Sequence, residues 1–171
     1  MSLLHKKELD VVLSSHEGNS DEFVFEKVAD DRLVLVAPLD SNIGSHAIKK
    51  KGFTYPWVDA IYYKDENAIQ YAPGQIFRIF TDRNSANNKF NPKSDVTIRA
   101  TRTALTCVEN NMGYTITSDL LVNQLGFANK VQKISFGENE TPFSMNVAYD
   151  NNTMLKEEIK RFAEIVRDSL A

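Results

Sequence analysis

Residues 96–117, VTIRATRTALTCVENNMGYTIT, have the pattern of a strand, a threonine-bearing turn, a helix and a second strand. Residues 96–100 predict the first strand. Thr101 or Thr103 is placed to cap the helix, because a threonine hydroxyl can accept a hydrogen bond from an unpaired N–H of the first turn. The stretch therefore predicts a strand that leads directly into a helix.

The helix after this turn is predicted to bury one face. Apolar side chains recur at positions i, i+3 and i+7, which predicts a buried stripe made of Leu105, Val108 and Met112. Gly113 stands where a left-handed C-terminal cap is expected. The single cysteine, Cys107, falls within this helix and is predicted to be a packed side chain, not a reactive thiol.

Similar strands and helices are predicted along the rest of the chain. Apolar or alternating runs predict strands at 8–13, 23–25, 33–37, 67–72, 114–117, 131–136 and 144–149. A helix is predicted to open at Pro73-Gly74, with Pro73 in its first turn. Further helices are predicted at 119–125 and at 152–170, the last with an apolar stripe of Leu155, Ile159, Phe162, Val166 and Leu170. This alternation predicts an α/β domain with largely parallel strand pairing.

Composition limits the class of protein. The chain has 171 residues and a formal net charge of -3, which argues against nucleic-acid binding through its overall field. One cysteine allows no internal disulfide, so a reducing compartment, the cytoplasm, is expected. The N-terminal residues contain no long apolar run, so neither a signal peptide nor a membrane span is predicted.

Catalytic and metal-binding motifs have little support in the sequence. The three histidines, His5, His16 and His46, show no metal-ligand spacing, and no G-x-S-x-G, G-x-G-x-x-G or P-loop pattern occurs. Neither a metal nor another cofactor is expected. The sequence favours a binding protein and not an enzyme.

Two strand-to-helix turns offer a different chemistry. The first N–H groups of a helix lack intrahelical partners and carry partial positive charge. A small anion between turns 70–75 and 100–103 would meet such N–H groups and the side chains of Thr101, Thr103 and Gln75, with Tyr71, Gly74 and Arg102 beside them. The residues alone leave open the alternative that the threonines only cap their helix.

Six segments occur in an ordered set that extends this interpretation. They are ELDVVL at 8–13, RLVLVAP at 32–38, NAI at 67–69 with PGQIFR at 73–78, residues 96–120, residues 144–149, and the final helix. In this order they resemble the regulatory domain of the LysR-type transcriptional regulators. Val108 and Gly113 hold the places of the family's valine-x-x-x-x-glycine pattern, and the resemblance covers nearly the whole chain.

The resemblance implies an α/β fold, the two-lobed regulatory domain that is similar to a type-2 periplasmic binding protein. Lobe I would hold residues 1–38 and 142–171, and lobe II residues 39–141. A small effector would bind in the cleft between the lobes. It would touch the 70–75 turn, the Thr101 and Thr103 turn, and Ser14 and Ser15 of lobe I.

The sequence differs from the family pattern at its start. The winged helix-turn-helix that binds DNA and the first strands and helices of lobe I have no counterpart in it. We therefore expect an N-terminally truncated domain with an incomplete lobe I, which contacts DNA only through an absent N-terminal domain. A homo-oligomer is expected, and strand exchange could fill the open edge of lobe I.

The leading functional hypothesis is an effector-sensing domain that binds a small carboxylate or similar anion to control transcription. A solute-binding protein of a transport system is one alternative. A second is an enzyme on the same fold, such as a dehydratase, with Asp95, Glu109 or Asp119 as its acid or base. A third is a folded remnant without a working site.

Overall fold

The computed structural model describes residues 2–15 and 21–170, so His16 lies outside the described residues. The strands are β1 (Val11–Ser14), β2 (Phe23–Pro38), β3 (Asn67–Tyr71), β4 (Lys93–Ile98), β5 (Thr115–Ser118), β6 (Val131–Ile134) and β7 (Pro142–Asp150). The helices are α1 (Ser2–His5), α2 (Asn42–Ser45), α3 (Ile76–Asn87), α4 (Thr101–Glu109), α5 (Asp119–Gln124) and α6 (Lys156–Leu170), with a 3₁₀ turn at Ala60–Tyr62. The predicted α/β fold class is confirmed.

The chain forms two compact units, residues 1–31 with 142–171 (unit 1) and residues 32–141 (unit 2). Strand β2 has 16 residues and runs from unit 1 into unit 2. The sequence predicted two strands in this region, at 23–25 and 33–37. They form one strand because the polar residues between them, such as Asp30 and Asp31, stay in extended backbone conformation.

Unit 1 is built on antiparallel strands covered by the C-terminal helix. Strand β1 pairs antiparallel with β7, which in turn neighbours β2. The core joins the sheet to α6 through Val28, Val147, Tyr149, Ile159 and Ala163. The predicted α6 stripe is wrong in part, because Leu155 precedes the helix and Phe162 is 38% exposed, whereas Ala163 takes the central buried place.

Unit 2 contains the second half of β2, which is central and fully buried. It pairs antiparallel with β5 (Leu33↔Ser118) and with β6 (Leu35↔Ile134). Strands β3 and β4 pair in parallel, connected by α3, and an isolated parallel bridge joins Ala68 of β3 to Tyr114. The predicted, largely parallel pairing is therefore wrong. Burial on both faces produces an apolar run whichever way the neighbouring strands point.

Helix α4 follows the prediction in its middle and departs from it at its end. Leu105 and Val108 are fully buried, as the spacing predicted, but the helix ends at Glu109 and Met112 is 45% exposed. The left-handed residue after the helix is Asn111, with φ +59°. Gly113 has φ +142°, a conformation suited to glycine, and Tyr114 after it donates its N–H to Asn67 O at 2.9 Å.

Candidate functional site

The two strand-to-helix turns singled out in the sequence lie side by side in unit 2. Strands β3 and β4 are parallel, and Tyr71 is the register partner of Ile98 at their carboxyl ends. Just beyond this pair, Ala72 N donates to Ile98 O at 2.8 Å. Helices α3 and α4 therefore begin at the same edge of the same strand pair.

Gln75 joins the two turns. Its side-chain Oε1 accepts from Ala72 N at 3.2 Å, and its Nε2 donates to Arg99 O at 2.9 Å. Gln75 is also the N-cap residue of α3, so the helix begins at Ile76. The prediction that Pro73 lies in the first turn is therefore wrong, because Pro73 precedes the helix. The oxygen and the nitrogen of this side-chain amide are thus both hydrogen-bonded to backbone, and Gln75 connects the two turns.

Neither helix has a side-chain cap within the described part of the chain. The N-cap residue of α4 is Ala100, and the first backbone bond of the helix is Ala104 N to Ala100 O, at 3.1 Å. The predicted capping by Thr101 or Thr103 is therefore wrong, because both lie one or more residues inside the helix. Short helix α5 differs, since Ser118 Oγ accepts from Leu121 N at 3.1 Å.

The other predicted side chains surround these N-termini. Thr101 is half-buried, and Gly74, Arg102 and Thr103 are exposed. Gly74 has φ +85°, which gives the 70–75 turn its shape. Arg102 Nη1 donates to Leu125 O at 3.4 Å, a long bond that leaves most of the guanidinium donors available to a ligand.

Tyr71 lies beneath the site and does not face solvent. It is 2% exposed, its ring packs 5.1 Å from that of Phe77, and its Oη donates to Thr117 Oγ1 at 3.2 Å. Burial raises the pKa of Tyr71, and hydrogen bonds with Thr101 and Thr117 oppose that rise. Thr117 was not predicted as part of the site, because nothing in its strand pattern indicates this contact.

Ser14 and Ser15, the two residues predicted from lobe I, belong to unit 1. Ser14 ends β1, where its register partner in β7 is Asn146, and both serines are half-buried. Asn146 and Ser144 are themselves buried and linked by a 3.0 Å hydrogen bond from Asn146 Nδ2 to Ser144 Oγ. The site described above therefore comprises the unit 2 residues, and a role for the serines stays a prediction.

The acidic residues considered for catalysis are partly engaged in ion pairs. Glu109 lies 3.1 Å from Lys130 Nζ. Asp119 accepts from Tyr55 Oη at 2.9 and 3.0 Å and from Lys133 Nζ at 2.9 Å, with the Asp119 and Lys133 side chains 13% and 14% exposed. This arrangement is that of a structural network connecting α5 and β6.

We expect Asp119→Asn to lower the free energy of unfolding by about 2 kcal/mol, because it leaves the mostly buried Lys133 ammonium without its counter-ion. Glu157→Gln is the matched control. Its partner Lys160 lies at 3.3 Å on an exposed surface, where loss of the pair changes stability by at most about 0.5 kcal/mol. Urea unfolding at neutral pH measures both. Equal losses in the two variants would contradict a structural role for the network.

Within residues 2–15 and 21–170, no grouping of three or more His, Cys, Asp or Glu side chains could hold a metal ion. None of the helices in these residues combines the length and apolar character that crossing a bilayer requires.

Comparison with known proteins identifies the family. The model of the LysR substrate binding domain matches residues 1–171. No curated protein sequence matches the chain significantly. Among solved structures, the CcmR regulatory domain from Synechocystis PCC6803, in complex with 2-PG, is similar with a TM-score of 0.77 and 13% identity, covering 98% of this chain and 76% of that one.

Two further structures have the same fold. The regulatory domain of MetR from N. meningitidis, a LysR family regulator, has a TM-score of 0.76 and 14% identity, over 98% of this chain and 73% of that one. The effector binding domain of QuiR, in complex with shikimate, has a TM-score of 0.71 and 17% identity, over 95% and 73%. The family suggested by the ordered segments is confirmed: this chain belongs to the LysR family as a LysR substrate binding domain.

Proposed function

We propose that this chain is an effector-sensing domain that binds a small anion, a carboxylate or a similar group, at the N-termini of α3 and α4. The observation that carries the proposal is the pairing of two uncapped helix N-termini, which Gln75 holds together through bonds to Ala72 N and Arg99 O. The domain is a sensor and not an enzyme, and DNA contact belongs to a separate domain of the full regulator, which acts in the cytoplasm.

Electrostatics favour an anion at this edge. The first-turn N–H groups of each helix precede its first intrahelical bond and so lack intrahelical acceptors. Each helix terminus stabilises an adjacent anion by about 0.3–1 kcal/mol, and hydrogen bonds to a charged group contribute about 1.5–3 kcal/mol. The exposed guanidinium of Arg102 and hydroxyl of Thr103 add donors to the same place.

Relatives in the family support a small-molecule effector. The CcmR domain is in complex with 2-PG and the QuiR domain with shikimate. An effector controls the attached DNA-binding domain only if it binds one conformation of the regulator more tightly than another. We propose that the anion at α3 and α4 supplies this differential affinity.

A thermal-shift screen of small organic acids tests the proposal. At least one acid is expected to raise the melting temperature, and Thr103→Val is expected to weaken its binding by about tenfold, the effect of one hydrogen bond to a charged group. Thr106→Val is the matched control, because it removes a hydroxyl one turn further along α4 that bonds to Arg102 O at 2.9 Å.

Two outcomes would contradict the site. One is that no acid in the screen raises the melting temperature of the chain. The other is that Thr103→Val and Thr106→Val change the affinity equally, since the two threonines differ in their distance from the helix N-terminus and not in chemistry.

A further inference from the structure

Strand β1 lies at the edge of the sheet in unit 1. Its neighbour is β7, and within residues 2–15 and 21–170 no strand pairs with its outer edge. Edge strands are usually protected from further pairing by lysine, proline or a β-bulge. Strand β1 has the sequence VVLS and keeps a regular register with β7, so it has none of these three features. Its backbone can therefore accept a further strand.

Leu13 brings an apolar side chain to this edge. It is 48% exposed, although its register partner in β7, Val147, is fully buried. Alternate residues of a strand lie on the same face of the sheet, so Leu13 shares the face of Val11, which packs against the core that α6 covers. The apolar face of unit 1 thus reaches β1 and ends at an exposed leucine.

Helix α6 has an exposed apolar stripe beside the one that it buries. Phe162 and Ile165 are 38% and 59% exposed. At about 100° per residue, they lie roughly 60° and 120° around the helix axis from the buried Ile159. Arg167 lies on the opposite side of the helix, where its Nη2 donates to Glu26 Oε1 in β2 at 3.0 Å.

The exposed stripe and the open strand edge lie on the same side of unit 1. The strand order is β1-β7-β2, so β1 and β2 lie on either side of β7. Because Arg167 bonds to β2, the side of α6 that carries Phe162 and Ile165 is the one toward β1. We call this combination, the outer edge of β1 with Leu13, Phe162 and Ile165, the edge surface.

The edge surface is complementary to a second copy of itself. A two-fold axis perpendicular to the sheet sets the two β1 strands antiparallel and places the two α6 helices antiparallel on one face. Arg161 and Asp168 are both exposed and lie seven residues apart, on one side of α6 next to the stripe. An antiparallel pair of α6 helices brings Arg161 of each copy close to Asp168 of the other, so the charges are complementary twice.

We propose that this chain forms a homodimer through the edge surface, with β1 pairing to β1 and α6 to α6 across a two-fold axis. The pairing extends the sheet of unit 1 into one sheet shared by both copies, and it covers Leu13, Phe162 and Ile165. Arg161 and Asp168 select the antiparallel arrangement, because a parallel one sets like charges side by side. The dimer does not depend on the anion proposed for α3 and α4, which belong to unit 2.

Sedimentation velocity of the chain measures this association. At about 100 μM, where a dimer with a dissociation constant of about 10 μM is mostly assembled, we expect the dimer to predominate. Ile165→Glu should raise the dissociation constant by about a hundredfold, because each dimer contains the substitution twice. Leu13→Lys, which places a charge at the strand edge, should act in the same direction. Ile61→Glu is the matched control, because Ile61 is 60% exposed but belongs to unit 2.

A charge exchange tests the antiparallel arrangement. Arg161→Glu sets like charges against each other and should weaken the dimer by about tenfold, whereas Arg161→Glu combined with Asp168→Arg should restore the association to within about twofold. A chain that stays monomeric at this concentration would assign the edge surface to a different partner and overturn the proposal. It is equally overturned if Ile61→Glu weakens the dimer as much as Ile165→Glu, if Leu13→Lys leaves it unchanged, or if the double charge exchange does not restore it.

Discussion

Replacing Gly113 by alanine is expected to lower the free energy of unfolding by about 3 kcal/mol or more, and the melting temperature by about 6–12 °C. A Cβ atom at this position would lie 2.2 Å from Asn67 O. That oxygen accepts the N–H of Tyr114 at 2.9 Å, and Ile69 N donates back to Tyr114 O at 2.7 Å. The added methyl group would force β3 away from the start of β5.

The loss can be divided between backbone strain and the clash. Gly126 also has positive φ, +79°, but a Cβ there would meet nothing within 4 Å. Gly126→Ala should therefore cost only the strain of a left-handed alanine, about 1 kcal/mol. Urea unfolding of both variants at neutral pH measures the difference. Losses of equal size would show that the close approach of Gly113 to Asn67 has no energetic role.

Gly113 also shows which part of the fold the sequence could predict. The helical spacing of Leu105 and Val108 is local information, and both residues are buried as predicted. The same sequence reasoning assigned Gly113 to a helix cap, because glycine after a helix usually has that role. Glycine is required at position 113 because the backbone of Asn67 approaches it closely. Asn67 is distant in sequence, and no local pattern connects the two residues.

The prediction of strand direction failed for a similar reason. The apolar run in β2 correctly indicated a buried strand, since residues from Leu33 to Ala37 are at most 3% exposed. Whether its neighbours run parallel or antiparallel depends on how β5 and β6 return to it. That return is a property of the tertiary fold, and neither apolar periodicity nor turn residues specify it here.

At the site, the sequence located the turns but not their contacts. The sequence singled out Tyr71, Thr101 and Thr103 because strand-to-helix junctions are visible in a pattern, and their role in binding stays a prediction. The Gln75 bonds to both turns and the pairing of Asp119 with Lys133 were not, because they join residues from separate elements. The order of the sequence segments indicated the family. The structure then showed that neither threonine caps its helix.

Alkaline pH is expected to destabilise the protein, with a loss of about 3 kcal/mol by pH 11 from Tyr63 and Tyr114. Burial raises the pKa of Tyr63 from 10.0 to about 12, and it raises the pKa of Tyr114 well above its ordinary range. A folded state that holds its protons more tightly than the unfolded state loses stability as the pH rises above the unfolded pKa, near 10. Each tyrosine contributes about 1.4 kcal/mol at pH 11.

Other groups act in the same direction. The pKa of Lys133 is raised: burial alone would lower it, but hydrogen bonds to Asp119 and Tyr55 outweigh that effect. Its ion pair is thus present below the unfolded pKa of lysine and is lost as the pH rises through the higher folded value. Burial also raises the pKa of Tyr55 and Tyr71. The predicted window of instability therefore opens near pH 10 and deepens above it.

The contribution of Tyr114 can be isolated by removing its hydroxyl group alone. Its hydroxyl is buried and has no partner among the described residues, so Tyr114→Phe should not lower stability at pH 8 and could raise it by up to about 1–3 kcal/mol. Between pH 8 and pH 11 the variant should lose about 1.4 kcal/mol less than the unaltered chain, as measured by urea unfolding. Tyr62 is 44% exposed, so Tyr62→Phe should keep the full loss. If both variants follow the unaltered chain, the burial of Tyr114 does not control the alkaline response.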